Sequence, residues 1–246
     1  MAGDGAPGVP GPVSVEDAGL GSYDVAAEFR QRDAASRYRN LYSPFNPSHL
    51  FQVQCRERVV LGLLSEAGVA DLSNRRILEV GCGPGLELAR LSAYGAGRPS
   101  LFGIELDHAR AVRAGTCVVG SGIVQGDAAE LPYRASSFDL VLQFTVFSSI
   151  PTIEMRRKAA EEILRVLRPG GHLLWHDFWV NPVNQRTQAL GRRDIRELFP
   201  GCRIRLRAST LAPPIARVLA GRSWLASWCL EAIPWLRTHY VALVTR

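Results

Sequence analysis

Apolar residues follow two alternating rhythms along this chain. Short unbroken runs (Ile77-Leu78-Glu79-Val80, Leu101-Phe102-Gly103-Ile104, Gly122-Ile123-Val124, Phe138-Asp139-Leu140-Val141-Leu142 and His172-Leu173-Leu174-Trp175) have the length and composition of buried strands. Between them stand helical spacings. Leu50, Val53, Val60, Leu63, Leu64 and Ala67 form one stripe over 48–67, and Ile153, Ala160, Ile163, Leu164 and Leu167 form another over 153–167. Shorter helices are expected from Leu86, from near Asp107 and over 192–199, with later strands over 203–209 and 239–244. Arg168-Pro169-Gly170-Gly171 reads as a helix terminator. Strands that alternate with helices predict an α/β fold around a largely parallel sheet.

The flanks carry different patterns. Residues 1–22 are rich in Gly, Pro and Ala, with no basic segment leading an apolar one, and read as a disordered tail rather than a signal peptide. Residues 24–40 and 48–67 read as two helices, broken at Ser43-Pro44-Phe45-Asn46-Pro47, where two prolines exclude a helix. The expected organisation is a tail, a helical cap over 23–72, and a core domain over 73–246. An apolar insert over 211–236 precedes the last strand. Arg217, Arg222, Glu231 and three prolines interrupt that insert, which argues against a bilayer span. Trp224, Leu225, Trp228, Cys229 and Ile233 can form one apolar face on it, against substrate, a membrane surface or a second subunit.

Composition narrows the functional classes. The chain of 246 residues is long enough for one sizeable core, and its net charge is +6. Acidic residues lie between the arginines, so no basic tract of the kind that grips nucleic acid is present. The five cysteines are odd in number and lack C-x-x-C spacing, which supports neither a disulfide framework nor a zinc site. A cytoplasmic location is expected.

The chemistry concentrates where the first strand breaks. Glu79-Val80-Gly81-Cys82-Gly83-Pro84-Gly85 is a glycine-rich turn whose backbone can take φ > 0 and approach a ligand closely. The helix from Leu86 then points its free N–H groups at that ligand. A dinucleotide fingerprint would need a glycine at Leu86, and a phosphate-binding Walker loop needs a Gly-Lys pair, whereas the one lysine is Lys158. Glu105 ends the second strand, 20 residues past Gly85, where one carboxylate can accept bonds from two ribose hydroxyls. It can equally cap the helix near Asp107. Asp127 follows the third strand, able to meet an adenine amino group or to serve as a helix N-cap.

As an ordered series, LEVGCGPG, GIELD, GDAAELPY, FDLVLQF and LRVLRPGG resemble the class I S-adenosylmethionine (SAM) methyltransferase superfamily, in its small-molecule and ubiquinone/menaquinone-methyltransferase-like branch. The resemblance covers residues 74–177. It implies a Rossmann-like, doubly wound, seven-stranded sheet and SAM as cofactor. It places Glu79, Gly81, Cys82, Gly83 and Gly85 near the methionyl moiety, Glu105 and Leu106 at the ribose, Asp127 and Ala128 at the adenine, and Gln143 and Phe144 beside the sulfonium. The chain departs from the commoner pattern in ending strand two with Glu rather than Asp.

The acceptor is less legible. Methyl transfer to a hydroxyl usually needs a general base. Asp177 and His176 end strand five, on opposite faces because side chains alternate, and His49 opens the second cap helix. These three are the candidate catalytic residues. A mouth bounded by 23–46, Phe144, Phe147, Phe178, Trp179 and the Trp224/Trp228 face is expected to suit an apolar or glycosylated small molecule. There is no Pro-Cys nucleophile, no Pro-Pro-aromatic loop after strand four and no assignable metal triad. O-Methylation of a small molecule in secondary-metabolite or glycan biosynthesis is therefore expected. C- or N-methylation, RNA methylation and a non-catalytic SAM-binding regulator stay open, as does a homodimer.

Overall fold

The computed structural model describes residues 27, 30, 31, 34, 35, 40–181 and 188–246. The expected tail, most of the helix over 24–40 and half of the 23–46 mouth segment lie outside the described residues. Helix α1 (Pro47–Glu66) begins where the sequence breaks: Asn46 Oδ1 accepts the N–H groups of Ser48 (3.0 Å) and His49 (3.4 Å), and Pro47 fills the first helical position.

The core alternates β1 (Ile77–Val80), α2 (Leu86–Ala93), β2 (Leu101–Glu105), α3 (His108–Cys117), β3 (Gly122–Gln125) and β4 (Phe138–Phe144). It continues with α4 (Ile153–Val166), β5 (Leu167–Phe178), α5 (Arg192–Leu198), β6 (Arg203–Leu211), α6 (Pro213–Leu219), α7 (Trp224–Glu231) and β7 (Arg237–Thr245). The seven strands form one sheet in the order β3-β2-β1-β4-β5-β7-β6. The first five are parallel to their neighbours and β7 runs antiparallel between β5 and β6. The order reverses between β1 and β4, which opens a crevice beyond their C-terminal ends.

The sheet is buried on both faces. Leu78, Val141, Leu173 and Trp175 point to one side, under α4 and α5, with Ile163 and Phe199. Ile77, Leu140, Leu142 and Leu174 point to the other, under α1 to α3, with Leu63, Leu88 and Leu91. Backbone glycines let large neighbours lie flat on the left half of the sheet. A Cβ added at Gly103 would stand 2.8 Å from Cys82 Sγ, and one at Gly122 would stand 2.7 Å from the Phe102 ring.

Three expectations need correction. The buried stripe of α4 is Arg156, Ala159, Ala160, Ile163 and Val166, while Ile153 is exposed. Arg156 can be buried because its guanidinium donates to the Ile150 carbonyl and to Gln188 Oε1. The Arg168–Gly171 segment lies within β5, whose first residue, Leu167, pairs with Phe138 before an irregularity shifts the register. Phe147 is fully buried between Trp175 and Phe199, so it belongs to the core rather than the rim.

Candidate functional site

The glycine turn is held in place by β2. Gly81 and Cys82 donate their N–H groups to the Ile104 carbonyl, at 2.8 and 3.0 Å. Gly81, Gly83 and Gly85 all have positive φ (68°, 53° and 83°), the region that L side chains oppose. The turn is also crowded: a Cβ on Gly81 would stand 2.4 Å from Val146 Cγ2, and one on Gly83 would stand 3.2 Å from Arg110 Nη2. Arg110, on α3, is a site neighbour that the sequence did not single out, since nothing local shows that α3 leans on the turn.

Glu105 is buried at the crevice, with Oε2 accepting the Gly83 N–H at 2.8 Å and Oε1 accepting the Asp107 N–H at 3.1 Å. Asp107, not Glu105, caps α3 through the Arg110 N–H. Each Glu105 oxygen keeps acceptor capacity for a further donor. Glu79 is buried beside the turn, and its Oε2 has no hydrogen-bond partner among the described residues. Burial pushes its carboxyl well above the usual range, with Glu87 adding to the effect and Arg56 opposing it. Gln143 is fully buried at the end of β4; Oε1 accepts the Val146 N–H at 3.1 Å while Nε2 has no partner among the described residues.

The remaining cofactor candidates are less committed. Asp127 is exposed, and Oδ1 accepts the Ala129 N–H at 2.8 Å, which stabilises a turn and not the helix that an N-cap would open. Ala128 packs at the edge of the core, and Leu106 is exposed. Cys82 is buried, and its thiol is pushed up by burial and by Glu79 and Glu105, so it is a space-filler and no nucleophile.

Strands four and five bring the catalytic candidates to opposite faces, as their adjacency requires. Asp177 faces α4, with Oδ2 accepting the Ser148 N–H (3.0 Å) and Oδ1 accepting the Phe178 N–H (2.9 Å). Burial pushes its carboxyl up to about 6 despite these bonds. His176 shares the other face with Phe144, whose ring meets it edge-on at 5.5 Å. It stacks on His239 of β7, with centroids 4.8 Å apart and planes 2° apart. Both ring nitrogens of His176 are buried without a partner among the described residues, and burial holds its pKa well below the ordinary value. Burial likewise lowers His239 to about 3.

Arg56 of α1 connects these groups. Its guanidinium lies over the Phe144 ring at 4.8 Å and pairs with Glu87, which also binds Arg90. These residues line a cleft between α1 and α2 that continues to Phe144. His49 is half-buried, edge-on to Tyr42, and its pKa is lowered by burial and then by Arg90 and Arg56. The expected apolar mouth is therefore lined on this side by ions. The expected substrate wall also differs: Trp224 and Trp228 pack edge-on against Phe51 of α1.

Residues 78–175 match a family model described as a methyltransferase domain. A fatty-acid O-methyltransferase of Mycolicibacterium smegmatis is 36% identical over 116 residues, covering 46% of this chain and 40% of that protein. A phthiotriol/phenolphthiotriol dimycocerosates methyltransferase of Mycobacterium leprae is 34% identical over 137 residues, covering 51% and 49%. The match thus spans under half the length of these curated relatives. Among solved structures, a SAM-dependent methyltransferase of Thermotoga maritima, described as a possible histamine N-methyltransferase, superposes with a TM-score of 0.58 at 18% identity, covering 85% of this chain and 96% of that one. That likeness is one of fold.

Proposed function

We propose that this chain, through a class I SAM-dependent methyltransferase domain, moves the methyl group of SAM to an oxygen of a small, largely apolar acceptor. Bound SAM supplies an electrophilic methyl group on a sulfonium. The residues present fit it: Gly81, Gly83 and Gly85 hold positive φ without a side chain at the crevice, and Glu79 Oε2 and Gln143 Nε2 are buried polar atoms in want of partners among the described residues. In this reading Glu79 ionises to hold the methionyl ammonium, and Glu105 takes the ribose hydroxyls on its free lone pairs. Asp127 and Ala128 would border the adenine, and Phe144 and Gln143 would hold the sulfonium end.

The observation that carries the acceptor reading is the pair of unpartnered nitrogens on His176, on the sheet face of Phe144 and Glu79. A neutral imidazole there accepts the hydrogen bond of an acceptor hydroxyl. It takes the proton released as that oxygen gains the methyl group. His239 holds the ring plane by stacking. Asp177 keeps the Phe147–Ser149 turn in place and so acts as a positioning residue, while His49 and Arg56 border the entrance. The O-methyltransferase among the relatives supports oxygen over nitrogen or carbon.

Incubation with methyl-labelled SAM and a panel of apolar alcohols, carboxylic acids, quinols and amines tests the proposal. Label in an ether or ester product, lost in His176→Phe while S-adenosylhomocysteine still binds, is the expected result. Transfer confined to amines, or equal transfer by His176→Phe, overturns the acceptor reading.

A further inference from the structure

Helix α7 is built with its polar residues inside. Ser227 and Glu231 are buried, while Trp224, Leu225, Trp228 and Cys229 are exposed. At 100° per residue those four occupy one continuous arc of about 140°. The buried polar pair is fully engaged: Ser227 Oγ donates to the Ser223 carbonyl, and Glu231 accepts from Arg58 of α1 at 3.2 Å and pairs with Arg237. This inversion is thus stable and is no packing error. The neighbouring 3-10 turn Pro234–Leu236, which touches α7, leaves Trp235 78% exposed, and Leu225 is 76% exposed. Trp224 and Trp228 rest an edge on Phe51 and Leu230 packs inward, yet both indoles stay partly open beside Leu225 and Trp235. Single exposed apolar residues are ordinary, but a cluster of this kind marks a contact surface.

Charge identifies the partner. From Arg203 to Arg246 the chain has seven arginines, one glutamate and no aspartate or lysine. The glutamate is Glu231, already neutralised by Arg58 and Arg237. Arg217 and Arg222 are exposed on either side of the α6–α7 turn, and the Arg58 guanidinium lies 4.1 Å over the Trp228 ring at the edge of the exposed face. Of these arginines Arg207 is paired with Glu66 away from the face, which leaves Arg217, Arg222 and the neighbouring Arg58 beside it. Exposed tryptophan and leucine flanked by these arginines match the chemistry of an anionic bilayer surface, where indole rings lodge at headgroup level and arginines meet phosphates. A symmetric contact with a second copy would instead set like charges face to face. We propose that α7 and the Trp235 turn dock this protein peripherally on anionic lipid membranes. No described helix is long and apolar enough to cross one.

Sedimentation of the full chain with vesicles tests this. The protein is expected to pellet with vesicles of equal parts phosphatidylcholine and phosphatidylglycerol, and to be released by high salt. It should stay in solution with phosphatidylcholine alone. Leu225→Glu and Arg222→Glu should each weaken vesicle binding on the order of tenfold, with S-adenosylhomocysteine binding and the melting temperature retained. Brominated phospholipid should quench the tryptophan fluorescence of the unmodified chain, a measurement that needs no variant. Absence of binding, equal binding to neutral vesicles, or no quenching overturns the proposal. So does a dimer in sedimentation velocity that Leu225→Glu converts to monomer, because the face would then be a self-contact.

Discussion

The backbone N–H of Gly83 donates to Glu105 Oε2 at 2.8 Å, so the carboxylate at the end of β2 also shapes the turn at the end of β1. Glu105→Ala removes an acceptor for two buried N–H groups, those of Gly83 and Asp107. It should weaken S-adenosylhomocysteine binding by about 1.5–3 kcal/mol, the range for a charged hydrogen-bond partner. It should also lower the melting temperature. Calorimetric affinity that is unchanged in the folded variant would remove Glu105 from the cofactor site.

The turn couples to the loop after β4 through a single methyl group. Gly81→Ala drives a Cβ to 2.4 Å from Val146 Cγ2 and should abolish cofactor binding or destabilise the fold. Because the clash is with a side-chain tip, Gly81→Ala/Val146→Ala should recover part of the loss, leaving about 1 kcal/mol of strain from positive φ. A double variant no better than the single one would show that φ alone decides the position. Gly83→Val should lose cofactor binding with no such rescue.

Glu79 gives the cofactor step a pH dependence of definite sign. Its raised pKa favours the protonated form in the free protein, whereas the methionyl ammonium favours the ionised one. Binding of S-adenosylhomocysteine should therefore release a proton and strengthen as pH rises. Glu79→Gln should bind more weakly and without that slope. Calorimetry across pH, in buffers of different ionisation enthalpy, measures both effects.

His176 and Asp177 should separate in their readouts. His176→Phe is expected to cut turnover by about 10²–10⁴-fold, the span of a general base, with cofactor affinity retained. Because burial keeps its imidazole neutral, kcat should stay level as pH falls through the ordinary imidazole range, while KM for SAM rises through Glu79. A parallel fall in kcat would point to a base with an ordinary pKa.

Asp177 affects stability instead. Its carboxyl is raised from 3.8 to about 6 in the fold, so between those values the folded state holds the extra proton. That contribution is present below the unfolded pKa and is lost as pH rises through about 6. Over this window the unmodified chain should lose up to about 3 kcal/mol relative to Asp177→Asn. Paired denaturant titrations at several pH values check the slope.

Much of this was legible locally. The five parallel strands, the glycine turn and the acid 20 residues later follow from composition and spacing within short windows. The opposite orientation of His176 and Asp177 follows from strand alternation alone. What was hidden depends on contacts between distant segments. His239 meets His176 only because β7 pairs antiparallel with β5, and Arg56 reaches Phe144 only because α1 packs on the sheet face that Leu142 and Phe144 share. The sequence of α4 offers Ile153 as a core residue, yet the helix turns Arg156 inward because the carbonyl of Ile150 awaits it. On α7 Ser227 and Glu231 are buried while Leu225 faces outward, an arrangement set by Arg58 and Arg237 from distant segments.

The contact between Cys82 and Gly103 limits the order in which this sequence can drift. An alanine at 103 would place its methyl group 2.8 Å from the cysteine sulfur, on strand positions with no slack. That methyl group would also stand 2.9 Å from Ile123 Cδ1, so position 82 must shrink and the side chain at 123 must give way before position 103 can grow. Each step alone in the other order passes through a strained cofactor turn. Positions 82, 103 and 123 share one fixed volume, divided between a turn and two strands that are distant in the chain.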